Sequence, residues 1–161
     1  MTYAELDACS TVIARHLVRA GVRVGDYVPF AFEKSLWTVV ATLAILKAGA
    51  AFVPLDPSHP AARLREILDD TQASFVVTSQ SLQALFKSPE YQVIVVSADL
   101  VREYADGDIS DIYLPTTSPS DAVWVLFTSG STGKPKGRLC CLPLERVFVQ
   151  LVPDQCKLIA R

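Results

Sequence analysis

From Thr128 to Gly133 the chain offers four hydroxyl side chains and two glycines in six residues, and Lys134 and Lys136 follow at once, before Gly137. Glycine tolerates positive φ and lets a ligand come close to the backbone. Successive N–H groups in such a turn converge into a concavity that attracts anions, and hydroxyls add further donors. The two lysines bring positive charge for a polyanion. The chemistry this composition suits is the holding of phosphate. A Gly/Ser tract alone reads equally well as a flexible loop. The apolar run "WVLF" in front of it and the paired lysines behind it favour the cradle.

It is not one of the commonest phosphate loops. A Walker A loop requires Gly-x-x-x-x-Gly-Lys followed by Ser or Thr. Here Thr128 stands at the first glycine position and Pro135 follows Lys134. Proline also disfavours a helical Lys134, so no helix start is expected directly after the loop. A Gly-x-Gly-x-x-Gly motif is absent.

Elements of alternating type position this loop. "TYAE" has the form of a capping box, and Leu6, Cys9, Ile13 and Leu17 then recur at helical spacing until Gly21. Asp26–Phe32 reads as a strand in which Pro29 requires an edge or a bulge. Residues 35–47 are apolar nearly all round, which predicts a helix buried inside the domain and ended by Gly49. Ala50–Asp56 is extended. Pro60 suits a first helical turn, with Ala61, Leu64, Leu68 and Thr71 on one face. "ASFVVTS" is a further strand, Ser81–Phe86 a short helix, and Tyr91–Asp99 another strand. A polar loop containing Gly107, Pro115 and Pro119 leads to the strand that enters the candidate cradle. Alternation of this kind predicts an α/β fold, a mostly parallel sheet with helices packed on it. In such sheets ligands bind at the carboxyl ends of the strands.

Composition narrows the function classes. The chain has 161 residues, 50% of them hydrophobic and 20% charged, with a formal net charge of -2. One domain with a sizeable core is expected. The slightly acidic balance gives no basis for nucleic acid or an anionic membrane as partner. The start lacks a basic n-region and an apolar h-region, and Leu36–Leu46 is too short to span a bilayer, so a soluble, cytoplasmic protein is expected. Four cysteines, at Cys9, Cys140, Cys141 and Cys156, have neither zinc-site nor redox-pair spacing. His59 sits in a Pro-rich turn and His16 beside core positions of a helix. Neither has an evident orienting partner, which a histidine base requires, so both are read as structural. Glu33-Lys34 reads as a solvated start to the following helix.

Three stretches together resemble one family. "LFTSGSTGKPKG" (Leu126 to Gly137) is similar to the phosphate-binding core motif of adenylate-forming enzymes. "TYAELD" (Thr2 to Asp7) resembles the first core motif of nonribosomal peptide synthetase adenylation domains. "LKAGAAFVPLDPSHP" (Leu46 to Pro60) resembles their second, and separates them from acyl-CoA ligases. The run from Phe32 to Pro60 looks most like the fungal multimodular synthetases. The resemblance covers residues 1–137 and implies the amino-terminal part of the large subdomain of such an enzyme.

What it implies chemically is attack of an amino acid carboxylate on the α-phosphate of ATP, with Mg2+. The products are an aminoacyl-adenylate, which then passes to the phosphopantetheine thiol of a carrier domain, and pyrophosphate. By this resemblance Thr128, Ser129, Gly130, Ser131, Thr132, Gly133 and Lys134 hold the β- and γ-phosphates. Lys136 lies at the loop's end, and Gly137 permits its return. The residues implied for magnesium, ribose and the mobile small subdomain fall beyond the resemblance, so no catalytic residue and no metal ligand is assigned. Residues 138–161 match none of the family's continuation and hold three of the four cysteines. They are expected to be a divergent tail, from a shifted frame, a mis-joined exon or retained intron sequence. The alternatives are a non-catalytic piece with weak or no nucleotide binding, or part of an acyl-CoA or aryl acid ligase. As 161 residues, the chain is expected to be inactive alone.

Overall fold

The computed structural model describes residues 1–105, 109, 111–118, 120–129, 135–141 and 158–159. Among the described residues, helices α1 (Tyr3–Ala20), α2 (Leu36–Lys47), α3 (Ala61–Asp70) and α4 (Ala98–Ala105) accompany seven strands. These are β1 (Tyr27–Ala31), β2 (Ala51–Pro54), β3 (Phe75–Thr78), β4 (Gln92–Val95), β5 (Ala122–Ser129), β6 (Pro135–Cys141) and β7 (Leu158–Ile159). They form one sheet in the order β4-β3-β1-β2-β5-β6-β7. Its first five strands are parallel, and β6 and β7 add antiparallel. The mostly parallel α/β sheet expected from the sequence is the one observed.

Two apolar layers hold it. On one face Ile13, Ala14 and Leu17 of α1 meet Val40, Ala41, Ala44 and Ile45 of α2 over Val28, Phe30, Val77 and Ile94. On the other, Leu64, Ile67 and Leu68 of α3 and Phe86 cover Ala31, Val53, Val76 and Val125. The capping box at the start of α1 is complete: Glu5 N–H donates to Thr2 Oγ1 at 3.2 Å, and Glu5 Oε2 accepts from Thr2 N–H at 2.7 Å.

The α1–α2 pair carries a polar pin. Lys47 Nζ donates to Asp7 O (2.9 Å), Asp7 Oδ1 (2.7 Å), Ser10 Oγ (2.8 Å) and Thr11 Oγ1 (2.8 Å). The Asp7 side chain is 76% exposed, so the ion pair itself contributes little. The bonds to Ser10 and Thr11 are more sheltered. Lys47→Met, which keeps the apolar stem, is expected to cost about 1.5 kcal/mol, the lower range for hydrogen bonds to a charged donor. Asp7→Asn is expected to cost much less. Urea unfolding of the two variants checks this, and equal losses would refute it.

The structure departs from the sequence expectations at four places. Pro29 lies in an interior strand, at neither an edge nor a bulge. The carbonyls of Asp26 and Phe30 accept from Ala51 and Leu55, so alternate residues of β1 face β2 and Pro29 faces β3. Pairing with β3 begins at Phe30 opposite Val77, one residue beyond the missing donor. The strand predicted over Tyr91–Asp99 stops at Val95, and Ala98 begins α4, where a polar loop was expected. Leu100 N–H donates to Ser97 Oγ at 3.3 Å, so Ser97 stops the strand by capping the helix. Helix α2 is buried on one side only: Leu36 and Val39, on the side away from the sheet, are 51% and 53% exposed. The short helix expected over Ser81–Phe86 is a single 3₁₀ turn, Gln83–Phe86.

Candidate functional site

The five parallel strands deliver their carboxyl ends to one edge of the sheet, and β5 brings Thr128 and Ser129 there. Strand β5 is fixed from β2 by the register Phe52 opposite Trp124. A row of rings runs across three strands at this level, Phe30 to Phe52 at 5.9 Å and Phe52 to Trp124 at 6.0 Å between centroids. Val125 is fully buried against the α3 layer. The strand that enters the candidate cradle is therefore anchored by packing on both faces. The indole Nε1 of Trp124 is buried without a hydrogen-bond partner among the described residues.

Strand β6 returns directly alongside. Ser129 pairs with Pro135, Thr128 with Lys136 and Phe127 with Gly137. Of the proposed phosphate contacts, Thr128, Ser129, Lys136 and Gly137 are thus brought together by backbone pairing at the mouth of one hairpin. Gly130, Ser131, Thr132, Gly133 and Lys134, between the paired ends in sequence, lie outside the described residues. Strand β6 continues through residue 138 to Cys141, and β7 pairs with it at Gly137 and Arg138. "RVFVQLV" of the expected tail lies outside the described residues.

The neighbouring strand ends contribute polar groups that sequence reasoning passed over. After β1, Glu33 accepts from Ser79 Oγ (2.8 Å) and from Ser81 Oγ, both following β3. These hydroxyl bonds hold the Glu33 carboxyl below its ordinary pKa and keep it ionised. Glu33 is thus a clasp between two strand ends as well as a solvated residue. Its partners lie 46 and 48 residues away, and only the β1–β3 pairing brings them near. After β2, Asp56 Oδ1 accepts from Ser58 N–H (2.9 Å) and Ser58 Oγ (2.7 Å), bonds that lower the Asp56 pKa. His59 N–H closes the same turn on Asp56 O at 3.0 Å, with its side chain exposed. His16 packs on Tyr104 of α4. Among the described residues no three His, Cys, Asp or Glu side chains are placed to hold a metal ion, and no helix is long and apolar enough to cross a membrane.

Comparison with known proteins places this geometry in a family. Residues 1–139 match the family model described as AMP-binding enzyme. The chain is 46% identical over 137 residues to the nonribosomal peptide synthetase-like enzyme fsqF of Aspergillus fumigatus, covering 85% of this chain and 9% of that protein. To the nonribosomal peptide synthetase lenA of Aspergillus lentulus it is 44% identical over 155 residues. That match covers 96% of this chain, which carries it past residue 137, and 3% of the relative. Among solved structures, the nonribosomal peptide synthetase FmoA3 bound to α-methyl-L-serine-AMP superposes with a TM-score of 0.73 at 28% identity, over 88% of this chain and 15% of that one. The chain thus spans less than a tenth of the length of these curated relatives. The family match over residues 1–139, together with the shared sheet of the solved relative, makes this chain a member of the AMP-binding, adenylate-forming enzymes, with fungal nonribosomal peptide synthetases among its relatives.

Proposed function

We propose that this chain supplies the triphosphate-holding part of an adenylation domain that activates an amino acid with ATP for transfer to a carrier-domain phosphopantetheine thiol. The observation that carries the reading is the hairpin mouth at the carboxyl end of β5. There the backbone sets Thr128 and Ser129 opposite Lys136 and Pro135 and brackets a segment of two hydroxyls, two glycines and Lys134.

In this reading Thr128, Ser129, Ser131 and Thr132 donate hydroxyl bonds to the β- and γ-phosphates. Gly130 and Gly133 leave room for backbone N–H groups to do the same, and Gly137 lets β6 turn back. Lys134 and Lys136 neutralise charge. What such a loop contributes to attack at the α-phosphate is orientation and charge stabilisation of the departing pyrophosphate. Magnesium, when bound, would screen the same phosphates. It belongs to this reading through the family, and no ligand for it is assigned in this chain. The amino acid and the carrier domain enter in the same way, as does a cytoplasmic location. Residues 1–137 carry the three motifs of the reading, and we keep 138–161 apart as a divergent tail. Translating the gene past codon 137 in the other two frames, or past the nearest splice site, tests that boundary: absence of a family-like continuation would make the tail a genuine terminus.

Grafted in place of the matching segment of a related synthetase's adenylation domain, residues 1–137 are expected to support amino-acid-dependent exchange of pyrophosphate into ATP. Lys134→Ala in the graft is expected to slow that exchange about 10- to 150-fold, the equivalent of the ~1.5–3 kcal/mol of one charge-assisted bond. A folded graft whose exchange ignores Lys134→Ala would remove the assignment.

A further inference from the structure

The contact between α1 and α4 holds a titratable ring that the nucleotide reading does not use. His16 of α1 lies against Tyr104 of α4 with ring centroids 4.9 Å apart and planes inclined at 43°. Arg19, three residues further along α1, places its guanidinium carbon 5.8 Å from the centre of the same ring. Tyr104 is therefore gripped by two side chains from one face of α1. Beside it, Leu100 and Val101 pack on the α1–α2 core.

The imidazole has an asymmetry. Its Nδ1 is buried and has no hydrogen-bond partner among the described residues. In the neutral ring with the proton on Nε2, that atom is a bare acceptor. Once protonated, it becomes a buried N–H with no acceptor among the described residues. The surrounding charges divide. Burial disfavours the charged ring most, Arg19 adds to this, and Glu103 of α4 opposes both, leaving the His16 pKa below its ordinary 6.5. The Tyr104 face would also attract a cation, but Arg19 already occupies it. Among the described residues, the other charged groups flanking these positions on the two helices are Arg15, whose Nε is buried without a partner there, and the exposed Asp99–Arg102 pair at 2.8 Å. Neither offers an acceptor to Nδ1.

We propose that α4 is an acid-released helix, seated on α1 while His16 is neutral and loosened when its imidazole takes up a proton. Helix α4 lies on the connection from β4 to β5, so its release slackens the path into the strand that carries Thr128 and Ser129. The sign follows from linkage. A histidine whose pKa is lowered on docking stabilises the docked form above its ordinary pKa, and that stabilisation is lost as pH falls below it.

Hydrogen exchange of the 101–105 amides in the 161-residue chain at pH 7.5 and 5.5, corrected for intrinsic rates, tests this. Protection is expected to fall about three- to tenfold, tenfold being the ceiling for one histidine of ordinary pKa 6.5 across this interval. Amides of α2 are expected to keep theirs. His16→Phe, which preserves a ring against Tyr104, is expected to make α4 protection independent of pH. Should the Phe ring fail to seat α4, His16→Gln provides the same neutral comparison. An unchanged wild-type protection, an equal fall in either variant, or a parallel fall in α2 would each overturn the proposal.

Discussion

Leu17→Ala is expected to remove about 3–5 kcal/mol of stability, the range for deleting a buried leucine whose neighbours cannot close the gap. Leu17 is fully buried in the layer where α1, α2 and the sheet meet, among Ile13, Ala14, Val22 and Ala44. Its own carbonyl also accepts from Val22 N–H at 3.0 Å as the helix ends, so the backbone there is not free to shift inward. Domains of this size have roughly 5–15 kcal/mol in all, so the variant should unfold at much lower urea and melt about 10 °C earlier. Leu17→Met, which keeps the volume, is expected to cost less than about 1.5 kcal/mol. Leu6, on the same helix but only partly buried, supplies a milder comparison as Leu6→Ala. A Leu17→Ala loss below about 1 kcal/mol would show that this layer is not packed as described.

Gly49→Ala is expected to cost about 2–4 kcal/mol, from two sources that a second glycine separates. Gly49 has φ +81°, and a Cβ there would stand 2.7 Å from Val24 Cγ2 and 3.1 Å from Pro115 Cγ. Gly25 has a similar φ of +89° with nothing within 4 Å of an added Cβ. Gly25→Ala should therefore register only the backbone strain, about 1–2 kcal/mol. The difference between the two variants measures the overlap at Gly49. Equal losses would mean that Val24 and Pro115 yield without cost, and the close approach of the α2–β2 turn to these residues would lose its significance.

What the sequence disclosed and what it hid divide along a physical line. Local codes were legible: the capping box at Thr2 and Glu5, the helical stripe Leu6–Cys9–Ile13–Leu17 and the Gly49 stop all act within a few residues. Features that depend on which strands become neighbours were not. Pro29 looked like an edge residue because its tolerance in β1 depends on where pairing with β3 begins. Ser79 and Ser81 carried no mark of Glu33, since the sheet order alone joins them. The α4 helix was missed although Ser97 followed by Leu100, Val101 and Tyr104 has the spacing of a capped amphipathic turn. There the strand-like run of valines before it masked the change of period. All-round apolarity in α2 predicted burial on every side. The described residues cover one side, which leaves Leu36 and Val39 bare.

The order of the sheet also sets a timetable for synthesis. β1 and β2 emerge first and occupy the middle, β3 and β4 then add outward on one side, and β5 joins the other flank of β2 much later. From Pro54, the end of β2, to Ser129, the end of β5, the ribosome adds 129 − 54 = 75 residues. At roughly 5–20 residues per second, the flank of β2 stays bare for about 4–15 s. During that interval its unpaired N–H and C=O groups are open to any strand that arrives, native or foreign. The strand bearing Thr128 and Ser129 is thus recruited onto a template already built, and the vulnerable moment in this protein's biogenesis is the wait for β5.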